Sequence, residues 1–196
     1  VRTAPRPATV GADGAAAIAA ARSGAGQVAT LILPGDAAWE EGGVAAVLPP
    51  IPPRTPVEPE RVAEAAALLH NGRRTALVLG ETVMDEASQR MASRIAAAVG
   101  CQLIGARSGR RVMRGAGRPA MDRIPYPVDQ ATAMLKDVEQ MILVGGHPPV
   151  AFFAYPGKPS LLAPPDCRMF ELIDLHGDCR GALAALRRGL GQPPGS

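Results

Sequence analysis

With 196 residues, 47% of them hydrophobic and 20% charged, the chain has a globular composition, with room for one ordinary domain or one domain and part of another. No apolar run approaches the ~20 residues of a membrane-crossing helix, which excludes a helical span. The net charge is only +3, and nineteen of the 21 basic residues are arginine, a usage that fits a GC-rich coding sequence better than nucleic-acid binding.

Residues 9–23 read as a small alanine-rich helix with Val10, Ala17, Ile18 and Ala21 near helical spacing, stopped by Gly24 and Gly26. Gln27 to Leu33 follows as a short apolar strand, ended by Pro34-Gly35-Asp36. This pair cannot bury both faces alone and is expected to join a larger sheet. Residues 49–57 carry five prolines, which forbid a helix interior or central strand and favour an extended linker. From Glu58-Pro59 a helix runs with Val62, Ala65, Ala66, Leu68 and Leu69 on one face, to Asn71-Gly72. Thr75 to Leu79 is a buried strand. A helix led by Asp85 runs through Met91, Ile95 and Val99 to Gly100, and Cys101 to Ile104 is the next strand.

Residues 106–126 read mostly as loop, followed by a helix from Pro127 to Lys136 and a strand from Glu139 to Val144. Residues 147–166 hold six prolines and look irregular; Arg168 to Ile173 is the last strand. Asp178 heads a final helix with Leu183, Leu186 and Leu190 inward and Arg187 and Arg188 outward. Strand, glycine, helix, strand, repeated, predicts an α/β fold: a Rossmann-like parallel sheet flanked by helices on both faces.

In such sheets ligands bind beyond the carboxyl ends of the strands, where Gly80, Gly105, Gly145 and Gly146 fall. None belongs to a phosphate-binding glycine motif, so two readings stand: a nucleotide site, working or vestigial, or ordinary turns. Arg107, Arg110, Arg111, Arg114, Arg118 and Arg123 crowd one stretch with only Asp122 opposing them. A subunit or domain contact is the first reading of that cluster, a phosphate site the second and nucleic acid the last, since no aromatics interleave with it. Phe152, Phe153 and Tyr155 read as core packing first and as an interface second. His147, in a glycine–proline turn, is either structural or a ligand contact.

Catalytic groupings are thin. Cys101, Cys167 and Cys179 form no C-x-x-C, and the three histidines no H-E-x-x-H, so neither a disulfide framework nor a thiolate zinc site is expected, and reduced thiols point to the cytoplasm. Glu40 with Glu41, and Asp85 with Glu86, are neighbours whose side chains diverge, and they read as solvated.

Two stretches are more specific. Residues 27–39, QVATLILPGDAAW, resemble the end of the pyrimidine-binding domain of thiamine-diphosphate-dependent enzymes. Residues 118–130 and 141–160, including ILVGG at 142–146 and FFAYPGKP at 152–159, resemble the central domain of the acetolactate-synthase-like branch. The resemblance implies a tail of the first domain over 1–48, a linker over 49–57 and the central domain over 58–196. It also implies that the parent's proton-relay glutamate lies before Val1, and that the Gly-Asp-Gly…Asn segment holding Mg2+ and the diphosphate lies after Ser196. The chain, which opens without Met, is then expected to be a piece of a homodimeric or homotetrameric cytoplasmic enzyme, a lyase or transferase acting on 2-oxo acids. Its partners would be the pyrimidine- and diphosphate-binding domains of the same chain, with no membrane or nucleic acid. Alone it is expected neither to bind thiamine diphosphate nor to catalyse.

Central domains of this branch carry FAD, ADP or nothing. FAD-binding members place an arginine in G-x-R-F after the fourth strand; here the sequence is Gly145-Gly146-His147-Pro148-Pro149, which implies an empty site. The competing phosphate contacts are Arg107 and Arg110. A free-standing module binding FAD or ADP through Gly80, Arg107, Gly145 and Gly146 is the alternative.

Overall fold

The computed structural model describes residues 1–107 and 111–191; its Cα positions divide the chain into two compact units, Val1–Arg54 and Thr55–Ser196.

The first unit opens with strand β1 (Arg2–Thr3) and helix α1 (Pro7–Arg22), whose Pro7 occupies the first turn, where no amide donor is needed. Strand β2 (Leu31–Ile32) pairs in parallel with β1, Arg2 opposite Leu31 and Thr3 opposite Ile32. Helix α2 spans Gly35–Trp39. The seven-residue strand expected from Gln27 is thus only two residues long. Gln27 is held instead at the end of α1, its N–H donating to the Ala21 carbonyl and its side-chain amide to the Ala20 carbonyl. The residues between therefore have no ladder to join. Residues 42–58 have no regular secondary structure.

In the second unit come α3 (Pro59–Leu69), β3 (Thr75–Leu79), a 3-10 turn at Glu81–Val83, α4 (Glu86–Val99) and β4 (Gln102–Gly105). They are followed by β5 (Asp122–Arg123), α5 (Val128–Leu135), β6 (Gln140–Val144), β7 (Arg168–Ile173) and α6 (Cys179–Gly189). The short β5 lies where loop was expected. The five strands form one parallel sheet in the order β5-β4-β3-β6-β7. This is the doubly wound order, and its direction of winding reverses between β3 and β6.

Every residue of β3 and β6 is buried, as expected of central strands covered on both faces. On one face Leu77, Leu79, Ile142, Val144 and Leu172 pack with α3, α4 and α6. On the other, Ala76, Val78, Met141 and Leu143 pack with α5 and with Leu162. The one polar residue of β6, Gln140, is fully partnered: its amide donates to the Leu68 carbonyl (2.6 Å) and to Thr75 Oγ1 (2.5 Å), and its Oε1 accepts from Asn71 (3.0 Å). Asp85 caps α4 through the Ser88 N–H, and Gly100, at φ 72°, ends it.

Two expectations are corrected here. Arg187 does not face outward: it is 8% exposed, because it follows Leu183 by one turn and shares the buried stripe of α6. Asp85 and Glu86 are not merely solvated. Asp85 pairs with Arg180 at 2.7 Å, and Glu86 with Arg90 (2.7 Å) and Arg118 (3.0 Å).

Candidate functional site

The winding reversal between β3 and β6 puts Gly80 and Gly145-Gly146 side by side at the carboxyl end of the sheet. The Gly80 N–H donates to the Val144 carbonyl (2.9 Å), and the Gly145 N–H to the Ile173 carbonyl (3.0 Å). The three glycines are needed for the approach of chain to chain. A Cβ on Gly80 would stand 1.8 Å from the Gly145 oxygen. At Gly145, whose φ is +65°, a Cβ would stand 2.5 Å from Thr82 Oγ1 and 2.7 Å from Cys179 Sγ. What the glycines permit is thus the direct contact of the loop after β3 with the loop after β6.

The flanking helix N-termini are likewise engaged. At α4 the first-turn N–H of Ser88 is taken by Asp85, and at α6 that of Gly181 by Asp178 (2.9 Å). These carboxylates occupy the positions a phosphate would use. Burial raises the affinity of the Asp85 carboxyl for its proton, but the hydrogen bonds from Ser88 and the Arg180 charge outweigh burial and hold it below its ordinary value. The Cys179 thiol donates to the Asp174 carbonyl at 3.1 Å and accepts from Thr82 at 3.3 Å, an arrangement that ties α6 to both loops. Burial pushes Cys101 up to about 11, so this thiol stays protonated at neutral pH.

Arg107 follows β4, tied at its neighbour by the Ala106 N–H to the Leu79 carbonyl (2.8 Å). Its guanidinium does not join the glycines; it lies over the rings of Tyr126 and Phe152, 5.5 Å from each centroid. Arg110 lies outside the described residues. Arg123 donates to the Arg107 carbonyl, and Glu86 holds Arg118 of the basic loop. Beside the two ion pairs, Arg90 donates to the Gly117 carbonyl (2.9 Å) and Arg118 to that of Arg114 (3.1 Å). The hydrogen bonds of Arg90 and then Arg118 hold the Glu86 carboxyl below its ordinary value. Phe152, Phe153 and Tyr155 are not core: all three stand at the surface, because the 150–161 excursion anchors itself through Leu162 instead.

A cleft of about 320 Å³ opens at the outer edge of β7, lined by residues 55–58, Arg61, 171–174, His176 and Gly177. Arg61 donates there to the carbonyls of Glu171 and Leu172 and lies 5.0 Å over the Phe170 ring, so it closes the free edge of the sheet. Among the described residues no group of His, Cys, Asp and Glu has the arrangement of a metal site. No helix among them is long and apolar enough to cross a membrane.

No family model matches the chain. It is 39% identical over 186 residues, 95% of its length, to the acetolactate synthase large subunit-like protein IlvX of Mycobacterium tuberculosis. The chain is homologous to part of an acetolactate synthase-like protein. It spans 35% of that relative's length. Among solved structures it matches a protein of Mycobacterium smegmatis assigned as a thiamin diphosphate-dependent enzyme, with TM-score 0.71 and 18% identity over 99% of this chain and 40% of that one. It matches benzoylformate decarboxylase from Polynucleobacter necessarius equally well, with TM-score 0.71 and 15% identity over 99% of this chain and 39% of that one. At those identities the structures show a shared fold: the α/β architecture of domains found in such enzymes.

Of the residues singled out from sequence, Gly80, Gly145 and Gly146 come together and Arg107 stands apart. Tyr126 was missed. Only the folding of the loop after β4 against the excursion after β6 brings it to Arg107, and no local pattern signals that contact.

Proposed function

We propose that the chain is the central domain of a thiamine-diphosphate-dependent acetolactate synthase-like enzyme, preceded by the end of its pyrimidine-binding domain. Residues 1–48 would be that tail, 49–57 the linker and 58–196 the central domain. The observation that carries this reading is the 39% identity along 95% of the chain to only 35% of a longer acetolactate synthase-like protein. The longer protein would be a cytoplasmic lyase or transferase acting on a 2-oxo acid. When bound elsewhere in it, thiamine diphosphate with Mg2+ supplies the carbanion chemistry of decarboxylation and carboligation.

On this reading the residues present here would not be the ones that hold that cofactor. They do other work. Gly80, Gly145, Gly146, Thr82 and Cys179 lock the carboxyl ends of β3 and β6 to α6, which supports reading the nucleotide site at Gly80, Arg107, Gly145 and Gly146 as vestigial. Its role would be scaffolding for the catalytic domains and their homodimer or homotetramer, without nucleic acid.

The test is calorimetric titration of the chain with FAD and with ADP, beside a turnover assay with a 2-oxo acid, thiamine diphosphate and Mg2+. Neither binding nor turnover is expected. Micromolar binding of FAD or ADP would restore the alternative of a nucleotide module, and turnover by the chain itself would overturn the reading as a central domain.

A further inference from the structure

The chain's positive charge is not spread along it. Residues 86–123, from the start of α4 through the loop after β4, hold eight arginines and no lysine, opposed only by Glu86 and Asp122. That segment carries +6 while the whole chain carries +3, so everything outside it sums to −3. Charge of one sign concentrated in this way attracts and steers a partner of the other sign.

The fold collects these cations rather than neutralising them. Arg90 and Arg94 stand one turn apart on the exposed side of α4. The Glu86–Arg118 pair and the bond from Arg90 to the Gly117 carbonyl bring the loop against that side. At the far end Arg107 lies over two rings and Arg123 donates to the Arg107 carbonyl, so these two add to the field without being free to bind. Arg94, Arg111 and Arg114 are exposed, and their guanidinium groups take no hydrogen bond or ion pair among the described residues. The loop that carries two of them is held before any partner arrives. Val112 and Met121 pack against the core, and the Arg118 N–H donates to the Gly115 carbonyl at 3.2 Å. Little ordering is left for association to impose.

Glu86 shows which group this face accepts. Its two carboxylate oxygens are met by different arginines, Oε1 by Arg90 from the helix (2.7 Å) and Oε2 by Arg118 from the loop (3.0 Å). The planar guanidinium fork matches a carboxylate in this way. Single-stranded nucleic acid would want aromatic platforms between the cations, and residues 86–123 contain no aromatic side chain. We propose that α4 and the loop after β4 dock a carboxylate-rich segment of another polypeptide. Arg94, Arg111 and Arg114 receive it, and the Arg90–Glu86–Arg118 pairing is the frame that presents them. The proposal rests on charge and on contacts within the second unit, and it does not depend on the cofactor reading above.

The probe is a fluorescein-labelled peptide of about 20 glutamates, followed by fluorescence anisotropy as the 196-residue chain is added. Micromolar binding is expected at about 50 mM NaCl, weakening about tenfold or more by about 200 mM as salt screens the charges. Arg111→Glu with Arg114→Glu is expected to weaken it about tenfold or more, and Arg111→Gln with Arg114→Gln about threefold. The glutamine pair keeps the measurement readable if charge reversal disturbs the loop. Arg6→Glu with Arg54→Glu makes the same change in net charge at exposed positions outside the face, and is expected to weaken binding by less than about twofold. No binding at low salt up to about 100 μM chain overturns the proposal. So does equal weakening by the Arg6 and Arg54 pair, which would mean that net charge alone is read. Tighter binding of an oligouridylate of the same length would overturn it in favour of nucleic acid.

Discussion

Helices α1 and α6 belong to different units and are helical for different reasons. The 16 residues of α1 include eight alanines and bury nothing, whereas the 11 residues of α6 bury Cys179, Ala182, Leu183, Leu186 and Arg187. The contrast extends to the units themselves. In Val1–Arg54 the buried apolar residues are Ala4 and Ala37, and Trp39 is 89% exposed; in Thr55–Ser196 both sheet faces are covered by leucine, isoleucine and valine. Alanine forms helix at little entropic cost but brings almost no surface to bury. The first unit is therefore shaped by local propensity and the second by packing, and only packing yields cooperative stability.

The largest expected effect tests that directly. Leu172, on β7, is wholly buried, and Leu172→Ala is expected to cost roughly 2–5 kcal/mol in urea unfolding followed by circular dichroism. Ile18→Ala, on α1, is expected to stay within about 0.5 kcal/mol of wild type. Equal losses at the two positions would mean that the first unit has a core of its own, and the contrast would fail.

Helix caps give the next effect. Asp85→Ala removes the acceptor for the Ser88 N–H at the start of α4 and is expected to cost about 1 kcal/mol. At the corresponding position of α1, Arg6 makes no side-chain cap, so Arg6→Ala is expected to be neutral. The pH dependence has a definite sign. The Asp85 carboxyl is held below its ordinary 3.8, so its contribution is fully present above that value and is lost as the pH falls through the lower, folded-state value. In Asp85→Ala that part of the acid-induced loss should vanish, as a pH series of thermal melts would record.

What could be read in the sequence followed the same division. The wholly buried strands β3 and β6, the Asp85 cap and the Gly100 stop are local patterns, and each stands where it was expected. A strand such as β2 is not a local property. Its length depends on the ladder opposite, and β1 offers two residues. Arg187 misled because charge suggests solvent, while its place one turn beyond Leu183 decides burial. Phe152 and Phe153 misled in the opposite sense: an aromatic pair signals burial, but whether the covering surface lies within the chain is not written in the pair itself. At the candidate site the three glycines were legible as strand ends. Their contact with one another depends on the strand order, and the stacking of Arg107 on Tyr126 depends on how two distant loops fold.

The smallest effect is the most selective. Gly14 lies inside α1, and a Cβ added there meets only Leu31 Cδ2, at 4.0 Å. Glycine in a helix interior costs about 0.5–1 kcal/mol relative to alanine, so Gly14→Ala is expected to stabilise α1 by that amount and to raise the helical signal in far-ultraviolet circular dichroism. The unfolding of the second unit should not change, since the gain lies in propensity alone. Three residues earlier the same exchange has the opposite sign. A Cβ on Gly11 would stand 2.0 Å from the Val44 oxygen, so Gly11→Ala must displace the segment that crosses α1 there. Where propensity governs, removing a glycine helps until the backbone that needs its absence of a side chain is reached, and the two substitutions mark that limit within one turn of the same helix.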